Sequence, residues 1–236
     1  MPGLLFIFAH PDDETFSAGT IAKYATAGVE VGLICATRGE RGSTGDLCSI
    51  DELPRVREAE VREAARILGV RRVEMLPYED QKLWTAPIED IRRRITATLR
   101  RQKPQIVITF DPNGANQHTD HIVISRFAAD AVSAAADPRW YPELGDAHSV
   151  ERMLWPWPKP LLSEETISEL DEQPGVDFII EVGDFRETKG AATRAHRTQY
   201  PGLRRLFNSD VRLLFEAFRL GWGARPHTTP AHDLFA

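Results

Sequence analysis

The sequence predicts an α/β fold: a Rossmann-like, mostly parallel sheet with flanking helices and its chemistry at the carboxyl ends of the strands. Two observations carry this expectation. Short apolar runs alternate with helix-like segments along the first half of the chain, the pattern of a parallel sheet joined by crossover helices. Two of the intervening segments end in a glycine, the usual helix stop, and one of these is strongly amphipathic. With 236 residues and 42% hydrophobic content, the chain can build one substantial core.

The apolar runs are "LLFIFA" (4–9), "EVGLICAT" (30–37), "RVEML" (72–76) and "QIVITF" (105–110). Between the first two lies "FSAGTIAKYATAG" (16–28), expected as a helix ending at Gly28. "LPRVREAEVREAARILGV" (53–70) predicts an amphipathic helix closed by Gly69, and "PIEDIRRRITATLRRQ" (87–102) a third. A fourth starts near Thr119 and runs through "IVISRFAADAVSAAA". After residue 137 the text turns rich in Pro and Trp, followed by a strand at "VDFIIEV" (176–182) and a helix over 184–200. Residues 1–236 are expected to form a single domain, with about 137–236 as additional elements packed on it. The aromatic stretch "RMLWPWPKP" (152–160) is compatible with either a pocket wall or a core cover.

A net charge of −6 argues against a general nucleic-acid binder, because phosphate neutralisation needs a concentrated basic face. The N-terminal apolar run is far shorter than the roughly 20 residues of a membrane span and has no basic leader, so neither export nor a membrane is expected. Two cysteines are too few for a disulfide scaffold, which suits a cytoplasmic setting.

In such a sheet ligands bind beyond the strand ends, where "AHPDDE" (9–14) places His10, Asp12, Asp13 and Glu14. Helix capping explains one or two acids but not the histidine. A second set, "DPNGANQHTDH" (111–121), follows another buried strand and ends in His118, Asp120 and His121. Ligation by His10, Asp13 and His121 leaves a fourth tetrahedral position for water, the arrangement of catalytic zinc, although iron or cobalt also suits imidazole and carboxylate ligands. Arg38 and Glu40, in the Gly-rich loop after the second strand, are candidate pocket-lining residues for the same positional reason.

These stretches resemble the signature of the PIG-L/LmbE family of zinc-dependent N-acetylglucosaminyl deacetylases, through "AHPDDE" (9–14) and "HTDH" (118–121). "TRGERG" (37–42), "REAEVREAARILGV" (57–70) and "KGAATRAHRTQ" (189–199) extend the resemblance to about residue 200. It implies that His10, Asp13 and His121 bind zinc and that Asp12 is the general base for the metal-activated water. It further implies that His118 stabilises the oxyanion or protonates the leaving amine, with Asp120 orienting its ring. Arg57 matches a substrate-binding arginine, against the plainer reading of a surface pair with Glu60. His196 and Gln199 match a late structural element. The implied partner is a small N-acetylglucosamine derivative, with the oligomeric state left open.

Two departures stand out. Thr119 replaces a proline of the family pattern, and as an N-cap residue it is compatible with a helix start there. No tyrosine lies between Asp111 and His118, which sets the chain apart from relatives acting on amino-sugar inositol compounds. The rival readings are an amidase of larger glucosamine conjugates with the same zinc site and a non-catalytic, metal-binding receiver-like module. The receiver reading leaves three histidines unexplained, since magnesium favours oxygen ligands.

Overall fold

The computed structural model describes residues 3–157, 175–207 and 213–236, with the backbone alone at 205–207. Strand β1 (Gly3–Phe8) is buried along its whole length, as a strand covered by helices on both faces must be. It pairs in parallel with β2 (Glu30–Thr37) on one side and β4 (Ile106–Ile108) on the other. β3 (Arg72–Tyr78) lies outside β2, and β5 (Arg152–Pro156) lies outside β4, both also parallel. β7 (Phe215–Gly223) then runs antiparallel between β5 and β6 (Phe178–Glu181). The sheet order is β3-β2-β1-β4-β5-β7-β6.

That order reverses direction between β1 and β4, so their connections leave on opposite faces and open a crevice at their carboxyl ends. The expected Rossmann-like sheet is therefore present, and the elements after residue 137 extend this same sheet. Burying Phe6 and Phe8 in β1 and Phe110 beyond β4 contributes about 1.5–3 kcal/mol per side chain at the base of that crevice.

Helix α1 (Ala18–Thr26) is shorter than its predicted span, because Asp13–Ser17 first make a tight 3₁₀ turn. The acids there shape the strand tip. α2 (Leu53–Leu68) ends at Gly69, whose φ of 78° is the left-handed cap a glycine supplies freely. Its buried face carries Leu53, Arg57, Glu60, Val61, Ala64 and Leu68, an inward stripe that unexpectedly includes two charges. α3 (Ile88–Gln102) and α4 (Thr119–Ala136) pack together on the sheet. His118, not Thr119, is the N-cap of α4: its Nδ1 accepts the Asp120 N–H at 3.2 Å.

The helix predicted over 184–200 breaks. α5 (Arg186–Ala195) ends as His196 leaves helical geometry, and the chain resumes as α6 (Tyr200–Phe207). Glu216 of β7 ties these parts together, accepting the N–H groups of Gly19 and Thr20 and pairing with buried Lys189 of α5. Arg152–Pro156 of the aromatic stretch is strand, with Met153 and Leu154 in the core, while residues 158–160 lie outside the described residues.

Candidate metal and catalytic centre

The loop leaving β1 turns back on itself. Asp13 Oδ2 accepts the backbone N–H of His10 at 2.8 Å and of Ala9 at 3.2 Å, which holds the carboxylate above the strand tip. From the other side of the crevice, α4 delivers Asp120 and His121 at its first turn, both buried. The His121 ring stacks on Phe110, with centroids 3.9 Å apart and planes 12° from parallel.

Second contacts fix each histidine's tautomer. His10 Nε2 lies 3.1 Å from Asp120 Oδ2 and 3.0 Å from Asp80 Oδ1, so it carries the proton and donates to carboxylate. His121 Nδ1 lies 3.2 Å from the Gly114 carbonyl, an acceptor only, so it too carries a proton. In the neutral rings this leaves lone pairs on His10 Nδ1 and His121 Nε2, and these two atoms face each other at 3.3 Å. Asp13 completes the triangle, with Oδ1 3.2 Å from His121 Nε2 and Oδ2 3.5 Å from His10 Nδ1. A tetrahedral site with bonds of about 2.0–2.1 Å has ligand–ligand edges of about 3.3–3.4 Å. The His10–His121 and His121–Asp13 Oδ1 edges match that geometry, and Asp13 reaches His10 through its other oxygen. His118 also brings a ring nitrogen within 4.8 Å of those of His10 and His121, so the donors suit a divalent ion. Asp120 is a poor competitor for that ion, because its oxygens already accept from Gln81 N at 2.6 Å and Leu83 N at 3.1 Å. Its Oδ2 is hydrogen-bonded to His10 Nε2, and among the described residues neither of its oxygens bonds the His118 ring. Only its N–H does.

The surrounding carboxylates favour a cationic His10, so offering the Nδ1 lone pair to an ion requires release of a proton. Burial works against a charged His10, yet the Asp120, Asp13 and Asp80 carboxylates raise its pKa well above the ordinary value. Burial opposes ionised Asp13, but His121 and His10 hold its pKa well below the usual range. Asp12 behaves oppositely: burial and the Asp13 charge outweigh the Arg57 cation and push it up to about 6. His118 is lowered, first by burial and then by neighbouring His10 and His121.

A cavity of about 220 Å³ opens above the triangle, lined by Asp12, Phe16, Arg57, His118, Gln199 and Leu203 among others. Arg57 is buried and does not pair with Glu60, whose carboxylate instead accepts from Thr198. Its guanidinium donates to the Gly39 carbonyl at 2.8 Å and to the Pro11 carbonyl, and lies 3.1 Å from Asp12 Oδ1. Gly39, with φ 63°, admits that approach, since a Cβ there would overlap the guanidinium. Arg38 and Glu40 do not join the described lining: Arg38 pairs with Glu58 on α2, and Glu40 accepts the Asp80 N–H. Asp80, missed in the sequence, does line the cavity. It sits just past the carboxyl end of β3, so the positional argument used at the other strand tips also picks it out. No tyrosine appears in the described lining.

Comparison with known proteins agrees. The PIG-L family profile, described as GlcNAc-PI de-N-acetylase, matches residues 5–132. A 1D-myo-inositol 2-acetamido-2-deoxy-alpha-D-glucopyranoside deacetylase of Geodermatophilus obscurus is 32% identical, over 83% of this chain and 82% of its own length. Deacetylase 2 of that description from Saccharopolyspora erythraea is 29% identical over 98% of this chain and 99% of its own. Among solved structures, the N,N'-diacetylchitobiose deacetylase from Pyrococcus horikoshii, complexed with an inhibitor, superposes with a TM-score of 0.73 at 27% identity. It covers 92% of this chain and 83% of that one. Two facing imidazole lone pairs with a carboxylate beside them, on a sheet shared with these proteins, lead to one conclusion: the chain belongs to the PIG-L family of metal-dependent deacetylases.

Proposed function

We propose that this protein removes the acetyl group from an N-acetylglucosamine-containing small molecule, with zinc held by His10, Asp13 and His121. The observation that carries this reading is the His10–His121–Asp13 triangle opening into a cavity lined by a further carboxylate, Asp12, which is paired with Arg57. A zinc ion there supplies Lewis acidity toward the amide carbonyl and toward water.

The chain's own groups do the rest. Asp12 takes one proton from the attacking water while the water oxygen bonds to the carbonyl carbon. Because His118 Nδ1 accepts the Asp120 N–H, the neutral ring carries its proton on Nε2 and donates a hydrogen bond to the carbonyl oxygen as negative charge builds there. The C–N bond then breaks, Asp12 returns its proton to the departing nitrogen to give the free amine, and the acetic acid released with it loses its remaining proton to solvent as acetate. Arg57 keeps the Asp12 carboxylate aimed. The free thiols Cys35 and Cys48 support a cytoplasmic setting.

The test is release of primary amine from a panel of N-acetylglucosamine derivatives by the zinc-loaded protein, including larger glucosamine conjugates and the inositol compound, with Asp12→Asn alongside. Turnover by wild type, reduced about 10²–10⁴-fold in Asp12→Asn at unchanged zinc content, is expected. An active Asp12→Asn overturns the role of Asp12, and a panel without turnover overturns the substrate class.

A further inference from the structure

Asp12 stands in an unusual backbone conformation. Its φ of 107° and ψ of −18° lie outside the regions a residue with a Cβ adopts freely. Such strain costs on the order of 1–3 kcal/mol and persists only where surrounding contacts over-determine it. The contacts are identifiable. Thr15 anchors the Asp12 carbonyl, donating from N at 3.0 Å and from Oγ1 at 2.6 Å, and Arg57 holds the preceding carbonyl of Pro11. The Asp12 N–H is held by Glu14, whose Oε2 accepts it at 3.1 Å.

Glu14 is fully buried and touches none of the cavity. Its other oxygen, Oε1, is hydrogen-bonded to Nε2 of His196, also fully buried, at the break between α5 and α6. The same turn carries Gln199 and Leu203 to the cavity wall, with Gln199 N and Tyr200 N donating to the His196 carbonyl at 3.0 and 2.7 Å.

Resting on the reading of Asp12 as the base, we propose that Glu14 is a positioning residue. Its carboxylate, anchored by His196, locks the left-handed backbone that presents the Asp12 carboxylate to the substrate. The pair thereby couples the turn that carries the cavity wall to the reacting end of the base.

The chemistry supplies a discriminating pair of variants. Glu14→Met removes the acceptor for the Asp12 N–H at nearly constant length. Glu14→Gln keeps an oxygen for that N–H and turns its amide toward His196. His196 must then carry its proton on Nδ1, an atom with no hydrogen-bond partner among the described residues, so Glu14→Gln is expected to melt somewhat earlier than wild type while keeping the Asp12 contact.

Steady-state kinetics on the most active panel substrate, zinc content, thermal melting and NMR hydrogen exchange at the Asp12 amide are to be measured on the zinc-loaded proteins. In Glu14→Met, kcat is expected to fall about 10–100-fold with KM changed less than about twofold, zinc retained, and the Asp12 amide exchanging at least about tenfold faster. Glu14→Gln is expected to recover most of both kcat and protection. Wild-type exchange at Asp12 in Glu14→Met, or equal loss of kcat in both variants, overturns the inference. Should Glu14→Met not fold, His196→Leu removes the anchor alone, and unchanged Asp12 exchange there overturns it equally. If wild type itself releases no amine, the proposed function falls while the exchange comparison still decides whether Glu14 holds Asp12.

Discussion

The Arg57 guanidinium lies 3.1 Å from the Asp12 carboxylate, although the sequence offers it a partner three residues along its own helix. One cation thus binds both carbonyl-bearing loops at the crevice, through Pro11 and Gly39, and the base between them. Lysine cannot reproduce this planar fork. Arg57→Lys is expected to lower kcat at least about tenfold, and Arg57→Ala to cost about 3–5 kcal/mol of stability by leaving a buried group unpaired. Kinetics and denaturant melts check both; a wild-type kcat in Arg57→Lys contradicts the aiming role.

Gly39→Ala places a methyl group where that guanidinium sits, at a φ of 63° that alanine resists. Its effect on kcat should therefore overlap that of Arg57→Lys. The double variant is expected to be much less impaired than the sum of the singles, because both disturb one contact. Additive losses in the cycle would show that the two residues act separately.

Asp120→Asn weakens the acceptor that fixes the His10 ring. Zinc affinity, measured by chelator competition, is expected to drop about 10–100-fold, whereas the Asp12→Asn variant should bind zinc as wild type does. Undiminished affinity in Asp120→Asn would return Asp120 to the His118 role implied by resemblance.

Removal of the ion should abolish turnover and lower the melting temperature, with zinc restoring both. The stabilisation follows mass action, reaching about 2.7 kcal/mol at a hundredfold excess over Kd. A melting temperature indifferent to zinc would mean that the triangle does not bind it.

Much of the site is legible in the sequence because each strand tip announces itself: a buried run ends and charged side chains follow at once. The structure brings His10, Asp13 and His121 within 3.5 Å of one another. What escapes is set by distant segments. Asp80 is hidden only by the short tail of β3, but the Glu14–His196 contact joins residues 182 positions apart, and no local pattern encodes it. The plainer reading of Arg57, a surface pair that i, i+3 spacing with Glu60 allows, is not realised because the helix turns that face inward. β7 escapes for another reason: an antiparallel strand inserted between β5 and β6 breaks the alternation from which the first four strands are read.

The order reversal between β1 and β4 has a consequence for how the protein matures. His10 and His121 are 111 residues apart in the chain and meet only because those two strands become neighbours. With the ligands proposed above, a growing chain owns half a binding site throughout synthesis of β2, α2, β3 and α3. Tight capture of a metal is then expected only after β4 has docked beside β1, so that uptake of the ion would report that the first half of the sheet has been assembled in the right order.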